Sequence, residues 1–593
     1  MASNDSSSID LMEKIVSLCK RRGFIYQSSE IYGGIGGFWD YGPLGSELKR
    51  NLRDAWWKAM TRQREDVVGL DATIIMHPAI WKASGHVETF VDMMRECVLT
   101  NKRVRADHVE PQSGTVLGFT GAKSPTGWKM DRAFSALLKG GEHIESFRKR
   151  LRGLIAQNAG AAAGKPEEIE LLGEAKSDEV TDSVDFHPET GGALTAARPF
   201  NLMLRTYVGP TATENDVAYL RPETAQAIFA QFKNVLDSSR VKVPFGICQI
   251  GKAFRNEVTP KNFTFRSREF EQMELEFFIK PDEAIEIVCG EVATWSEGAD
   301  LSTPQPNWGW DMWHRYWVQE RTAFYKSIGL GEDVLEYYWQ TPEDLAHYAR
   351  ACVDILFKFP FGTDELEGIA ARGDFDLSQH QKHSGRPQEF FDEDLKNAVK
   401  NLSDEQKEAM IQKRHAAEKA KGDCGMNEEE VRTWFDRLFK GNYVPHVIEP
   451  SAGLDRLALA ILCAAFDQFE KEDAKGKKET ITVLRFHPRV APVKVGVFPL
   501  LKNKPELVAK AREVYAMLKQ HMNCFYDETA SIGRRYARQD EAGTPFGVTI
   551  DFETLGEQGE DLRDTVTLRH RDSGEQERVK IDELLPKLLA AVS

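Results

Sequence analysis

Apolar and polar residues alternate strictly along KAFRNEVTPKNFTFRSREFEQMELEFF, residues 252–278. A period of two over this length predicts two half-buried strands joined by a hairpin loop. From Phe270 onward, Gln272, Glu274, Glu276 and Phe278 share one face, and Glu271, Met273, Leu275, Phe277 and Ile279 share the other. The second face is mostly apolar and is expected on the core. The first is expected to look into solvent or a cleft. On the preceding strand Arg255 and Glu257 share a face. If both charged faces line one cleft, cations and anions lie side by side there. A cross-strand salt-bridge ladder on a solvated sheet satisfies the same pattern.

A period near 3.6 takes over elsewhere. In PLGSELKRNLRDAWWKAMTR, residues 43–62, Leu48, Leu52, Trp56 and Met60 recur at helical spacing behind a proline and a serine, which predicts an amphipathic helix. YVPHVIEPSAGLDRLALAIL, residues 443–462, predicts a short strand ending at Glu449, a turn at Pro450, Ser451 and Gly453, and a helix apolar nearly all round, hence buried. Arg456 falls in the first turn of that helix, at its positive end, where an anion is favoured. Pairing with Asp455 or Glu449 accounts for it equally well. Residues 157–181, rich in Ala and Gly and then Glu, suggest an inserted module or flexible edge. Residues 403–421 suggest a charged, solvated helix, and 468–479 a polar linker. Beyond the linker, strand and helix patterns alternate, from VKVGVFPL to IDELLPKLLAAV, as in a separate α/β domain.

With 593 residues and 41% hydrophobic content, the chain has material for roughly three to four domains. Mean hydropathy is −0.44, and no apolar run approaches the ~20 residues that span a bilayer. The start MASNDSSSID lacks the basic and apolar stretches of a signal peptide, and eight cysteines lie scattered, so a reducing cytoplasmic location and no membrane are expected. A net charge of −15 argues against non-specific nucleic-acid binding over the whole surface but leaves room for a local basic patch. Arg534, Arg535, Tyr536 and Arg538 form one such cluster, suited to splayed bases. Asp540 and Glu541 follow at once, so an internal salt-bridge cluster is the alternative. GGIGG at 33–37 lacks the Gly-Lys-Ser/Thr ending of a phosphate loop and reads as a tight turn.

Taken together, these segments resemble a known family. FRNE at 254–257, Arg266-x-x-x-Phe270 on the return strand, and Gly453-x-x-Arg456 resemble motifs two and three of class II aminoacyl-tRNA synthetases. The helix at 43–62, with a strand ending at Pro78, resembles motif one, the dimer interface of that class. YGGIGGFWDYGPLG at 32–45, AYLRPETAQAIF at 218–229 and DELEGIAARGDFDLSQH at 364–380 look like the dimeric glycyl-tRNA synthetases, and IGRRYARQDEAGTPFGVTIDFETL at 532–555 like their anticodon-binding domain. The resemblance implies an α+β catalytic domain on an antiparallel sheet, residues 1–96 and 201–466, with motif one about 43–78, motif two about 247–279 and motif three about 446–463. It further implies an insertion at 97–200 touching the acceptor stem, helical insertions at 281–345 and 381–435, a linker at 467–486 and an α/β anticodon-binding domain at 487–593.

The implied reaction joins glycine to ATP as glycyl-adenylate plus pyrophosphate, then passes glycyl to the 3′ end of tRNA(Gly). By resemblance Arg255, Arg456 and Glu274 are catalytic. Arg255, Asn256, Glu257, Phe265, Arg266, Phe270, Glu365, Leu366, Gly453 and Arg456 bind ATP, with Phe270 under the adenine. Arg105, Glu223, Glu274, Glu449 and Ser451 bind glycine, Glu365 and Glu449 hold Mg²⁺, and Arg534, Arg535 and Arg538 meet the anticodon. Arginine suits this work because its planar donor pair stays charged and matches phosphate and carboxylate oxygens. The partners implied are tRNA(Gly), glycine, ATP and a second copy of the chain. Many relatives carry two Cys-x-x-Cys pairs in the insertion. Here the matching places read Cys97…Thr100 and His187…Thr190, so no zinc is expected. Two rivals share the fold: a binding-only paralogue, and an enzyme for proline, serine or threonine.

Overall fold

The computed structural model describes residues 4–592 other than 211, 347–348, 421–424, 473–475 and 477. The end of the 403–421 stretch and part of 468–479 thus lie outside the described residues. Two compact units emerge: Met1–Ser84 with Arg205–Phe254 and Lys261–Ser593, and Gly85–Leu204 with Arg255–Pro260.

The first unit is built on a seven-stranded sheet. Its order is Leu335–Trp339, Ala351–Phe359, Gly362–Gly373, His446–Gly453, Glu269–Ile279, Phe245–Phe254 and Val67–Gly69. All neighbours are antiparallel except the last pair. The expected hairpin is present, in register from Phe254↔Glu269 to Phe245↔Phe278. Its return strand lies inside the sheet, so both faces are covered. Met273, Leu275, Phe277 and Ile279 enter the main core, where Phe277 packs 5.0 Å from Trp313 and 5.1 Å from Trp317. The other face does not reach solvent: Gln272, Glu274, Glu276 and Phe278 are buried, and Phe278 packs on Phe229 and Phe232 of the helix Ala225–Ser239. On the core face Glu271 survives burial through Lys49 (3.1 Å) and Arg53 (3.2 Å).

The helix predicted at 43–62 runs Pro43–Trp57 and closes on a wider turn, Lys58–Arg62; Leu48, Leu52, Trp56 and Met60 are all buried. Gly45 sits so close to Phe24 that an added Cβ would lie 1.8 Å from its carbonyl oxygen, so the start of this helix demands glycine. Pro78 does not end a strand; it opens the short helix Pro78–Ala83. The turn expected at 450–453 is absent. The strand continues to Gly453 because both neighbours pair with it, and the buried helix Leu454–Ala465 follows directly. Residues 281–345 are not wholly a helical insertion either: besides the helices Asp282–Cys289 and Trp310–Ser327 they supply the edge strand Leu335–Trp339.

The polar stretch taken for a linker is a two-stranded hairpin arm, Phe466–Glu472 against Lys478–Leu484, because paired backbone is better satisfied than a bare tether. A five-stranded sheet follows. Cys524–Tyr526, Val495–Pro499 and Phe546–Ile550 run parallel, and Thr565–His570 and Gln576–Lys580 continue it antiparallel. Helices Pro505–Lys519, Ile532–Ala542 and Ile581–Val592 accompany it, with Val497, Val548, Leu507 and Leu584 in their own core.

The second unit contains 157–181 as ordered structure rather than a flexible edge. The helix Ile144–Ala159 ends there and the strand Ala175–Ser183 pairs with Gln112–Phe119. Phe119, Phe147, Leu151 and Ile155 supply a core of its own.

One polar interaction lies deep in the first unit. Arg321 and Glu367 pair at 2.7 Å with both side chains 1% exposed, and Tyr325 also donates to Glu367. A buried guanidinium stripped of its partner is costly, about 3–5 kcal/mol. Glu367→Ala is therefore expected to lower the first thermal unfolding transition by several degrees in scanning calorimetry; an unchanged transition would show that the pair is dispensable.

Candidate active site

The register of the central strands builds the site. Glu274 lies directly opposite Ser451, and the same register sets Glu276 opposite Glu449. Pro450 has no N–H, and the ladder is interrupted at Glu449 and Pro450. Oxygens of Glu274, Glu276 and Glu449 consequently gather within 4.8 Å of one another. Ser451 donates to Glu274 at 2.9 Å, and Thr224, just ahead of the helix Ala225–Ser239, donates to its second oxygen.

Arg372, at the end of the strand Gly362–Gly373, enters the same space. It donates to Glu449 at 2.7 Å and grips both oxygens of Asp376 at 2.9 and 3.1 Å. Gln226 donates to Asp376 (2.9 Å) and Glu223 (3.1 Å), and its own oxygen lies 3.0 Å from His380 Nε2. Burial lowers the proton affinity of His380, so it serves as a neutral N–H donor to Gln226. Arg372 is thus committed to Asp376 and Glu449. Among the described residues Glu274 accepts hydrogen bonds from hydroxyls, and neither oxygen of the buried Glu276 has a hydrogen-bond partner.

An excess of buried negative charge raises proton affinity. Burial, then the nearby Glu223, pushes Glu274 up. Burial, then Glu449, pushes Glu276 well up. Burial takes Glu449 from 4.5 to about 8, against the opposing pull of Arg372. Such a site is arranged to receive a small cation.

A second cluster surrounds Arg456. It donates to the Glu365 carboxylate at 3.0 Å and to the carbonyls of Glu365 (3.2 Å) and Phe265 (3.3 Å), and its guanidinium lies 4.4 Å from the Phe265 ring centre. Its partner is therefore Glu365, neither of the two expected. Asp455 instead accepts from Tyr41, Lys49 and the Glu271 amide, each at 2.7 Å. Gly453 lies against the Arg456 side chain, where an added Cβ would come within 3.4 Å. Phe265 is buried beneath Arg456 and packs on Phe359 and Phe361, and Leu366 is buried in the core, so neither side chain offers a free surface to a nucleotide. Arg266 and Phe270 are half-buried.

The strand Phe245–Phe254 ends before Arg255, so Arg255 and Glu257 do not continue its face. They belong to the second unit, where the Asn256 amide donates to Leu202 (2.7 Å) and the Arg255 guanidinium lies 5.4 Å from the Phe90 ring centre. Arg105, in the same unit, pairs with Asp107 (2.7 Å) and Asp92 (3.3 Å).

Glu365, half-exposed, suits a hard ion such as Mg²⁺. Glu449 is buried and bound to Arg372, and its oxygens lie with those of Glu274 and Glu276 rather than beside Glu365. In the insertion Cys97 Sγ lies 3.4 Å from Thr190 Oγ1, while His187 Nδ1 accepts from the amides of Glu189 and Thr190. With one sulfur, hydroxyls and an occupied imidazole nitrogen, these residues do not fit structural zinc.

Of the three anticodon candidates, Arg535 is buried and spends its donors on the carbonyls of Thr529, Ala530 and Pro499, which makes it a structural residue. Arg534 is exposed, and Arg538 pairs with Asp527 at 2.9 Å. The alternative, an internal cluster with Asp540 and Glu541, does not form: Asp540 pairs with Arg569, and Glu541 with Arg21 and Arg22. Arg372, Asp376, Gln226, Thr224 and Glu276 were missed in the sequence. Only the i, i+4 spacing of Arg372 and Asp376 could have signalled a pair.

The family model described as the tRNA synthetase class II core domain (G, H, P, S and T) matches residues 210–297, and the one described as the anticodon binding domain matches 494–591. The glycine–tRNA ligase of Rhodopirellula baltica is 42% identical, covering 97% of this chain and 98% of its own. That of Thermus thermophilus is 42% identical over 97% of both, and that of Treponema denticola 39% identical over 97% and 96%.

The folded site holds protons on Glu276 and Glu449 that the unfolded chain would release. Their contribution to stability is complete at low pH and is lost as pH rises through the raised values, about 8 for Glu449. Without substrate, this contribution to the thermal midpoint is expected to fall between roughly pH 5 and 8, from the ordinary carboxyl value to the raised one, and less so in Glu449→Gln. Equal slopes in the two proteins would refute the assignment.

Proposed function

The chain belongs to the glycine–tRNA ligase family of class II synthetases, and from that premise we propose that its buried carboxylate site captures the ammonium group of glycine. The observation that carries this is the pairing pattern. Glu223, Glu274, Glu276, Glu449 and Asp376 surround a guanidinium that donates to two of them, while the nearby buried Arg221 donates to backbone carbonyls, so carboxyls outnumber the cations that pair with them. A primary ammonium supplies a further positive charge with three donors on one small centre. Glycine requires no more room, and a crowded set of carboxylates rejects larger amino acids by clash.

The enzyme activates glycine with ATP and transfers glycyl to tRNA. In our reading Glu274, Glu223 and Ser451 fix the ammonium, so the carboxylate is presented to the α-phosphorus at a set distance and angle. Oxygen attacks phosphorus, and pyrophosphate leaves with the bonding pair. The 3′-terminal hydroxyl of tRNA then attacks the acyl carbon and AMP departs. Arg456 would stabilise charge on the phosphates, with Glu365 as its counter-ion and as the residue that would hold Mg²⁺. The ion would neutralise phosphate charge. On resemblance alone, Arg255, Asn256, Glu257, Arg266 and Phe270 are assigned to ATP, and Arg105 to glycine. The 97–200 insertion is assigned to the acceptor stem. We further place the enzyme in the cytoplasm as a homodimer. Ile31 and Tyr32, 88% and 87% exposed on the loop ahead of the helix Pro43–Trp57, support an apolar contact with a second copy.

ATP–pyrophosphate exchange tests this. Exchange is expected with glycine and not with alanine, serine, proline or threonine. Glu274→Gln and Arg456→Ala should each lower it by at least ~100-fold, about 2.7 kcal/mol. Exchange with no amino acid, from a folded protein, would leave only the binding-paralogue reading.

A further inference from the structure

The cationic face of the anticodon-binding domain does not end at that domain. On the helix Ile532–Ala542, Arg534, Arg538 and Glu541 fall at i, i+4 and i+7 and so share one side. Glu541 is the point where a second helix joins. Arg21 and Arg22, in the last turn of the N-terminal helix Asn4–Arg22, both donate to it, one to each carboxylate oxygen. Two guanidinium groups on one carboxylate leave a net positive charge at the junction. Arg538 adds to it, lying near enough to Arg22 to lower that group's proton affinity together with burial and Arg21. Arg21 remains 58% exposed; Lys20 beside it is paired with Glu30, and Arg538 with Asp527. In a chain with net charge −15 this is a concentrated basic strip.

The N-terminal helix is no loose appendage. Ile15, Leu18 and Cys19 are buried in the main core, and the following Gly23 and Phe24 carbonyls accept from the amides of Leu44 and Gly42, at the start of the helix Pro43–Trp57. The strip therefore runs from the anticodon-binding domain onto the catalytic core, across rigid elements.

We propose that Arg21 and Arg22, with Arg534 and Arg538, form one continuous surface that binds the sugar-phosphate backbone of the tRNA between its anticodon and its acceptor end. This rests on the ligase reading for its partner. Glu541 occupies the arginine pair as a stand-in for a phosphate, since a carboxylate offers the same two-oxygen edge. It occupies the donors in the free protein, and a tRNA phosphate can share or replace it. Backbone contacts of this kind carry affinity without base specificity, and each one lost reduces the salt dependence.

The test uses the full-length Arg21→Gln/Arg22→Gln variant with a tRNA(Gly) transcript. Glycine-dependent ATP–pyrophosphate exchange is measured beside aminoacylation across a range of salt concentrations. Exchange should be unchanged, because neither arginine lies in the activation site. The KM for tRNA should rise about 5–20-fold, and the slope of log affinity against log salt should fall by roughly 1–2 units, with a transcript altered only in its anticodon affected to the same extent. Glu541→Gln separates binding from mere clamping. If the arginines only clamp two domains, it should reproduce the double variant's loss; if they bind phosphate, tRNA affinity should hold or rise. Unchanged tRNA KM and salt slope with intact exchange would overturn the proposal, as would equal losses in Glu541→Gln. Loss of exchange in the wild-type protein would instead indict the ligase reading.

Discussion

Buried negative charge without enough positive charge governs this structure. A carboxylate taken out of water must be paired, hydrogen-bonded or protonated. Around the sheet centre one guanidinium serves Glu449 and Asp376, hydroxyls serve Glu274, and Glu276 has no hydrogen-bond partner among the described residues. The fold can carry that deficit because the surrounding framework is strongly built. Seven strands pair across it, and aromatic packing around Trp313 and Trp317 closes the opposite face. The same deficit that costs stability without ligand is what the proposed ammonium would relieve, as in sites kept poised at the expense of the fold.

Elsewhere the chain handles charge conservatively. Arg321 and Glu367 neutralise each other under Tyr325, and Lys49 bridges Glu271 and Asp455. Asp455 also anchors the start of the helix whose next residue is Arg456, so the motif that bears the phosphate-binding candidate is fixed by ion pairs on the far side of the sheet. Positioning of this kind suits a reaction in which no side chain need become covalently attached, and in which orientation and charge stabilisation lower the barrier.

Much of the framework was legible in the sequence. The alternation at 252–278 marked a true hairpin, the spacing of Leu48, Leu52, Trp56 and Met60 a true buried stripe, and the change of period near residue 490 a true α/β domain. The reading faltered where tertiary context overrode local pattern. Glu274 and Glu276 alternate like a solvated face, but their strand is central, and a helix covers that face. Pro450 and Gly453 read as a turn, yet pairing of Pro450 with Ile369 on one side and of Gly453 with Gln272 on the other keeps them in a strand. Beyond the i, i+4 spacing of Arg372 and Asp376, neither Arg372 nor Gln226 carries a local signal of its placement, because Glu449 lies 77 residues from Arg372 and Asp376 lies 150 from Gln226. A pairing across such a separation exists only in the folded sheet.

The central claim is that the site recognises an ammonium rather than a carboxylate. Calorimetric titration of the wild-type protein with glycine and with glycolate tests it most directly, since the two share a carboxylate and differ in having an ammonium or a hydroxyl. The account predicts measurable glycine binding and glycolate binding weaker by at least ~100-fold, the price of leaving the buried carboxylates without a cation. Equal affinity for the two would contradict it and place recognition on the arginines instead.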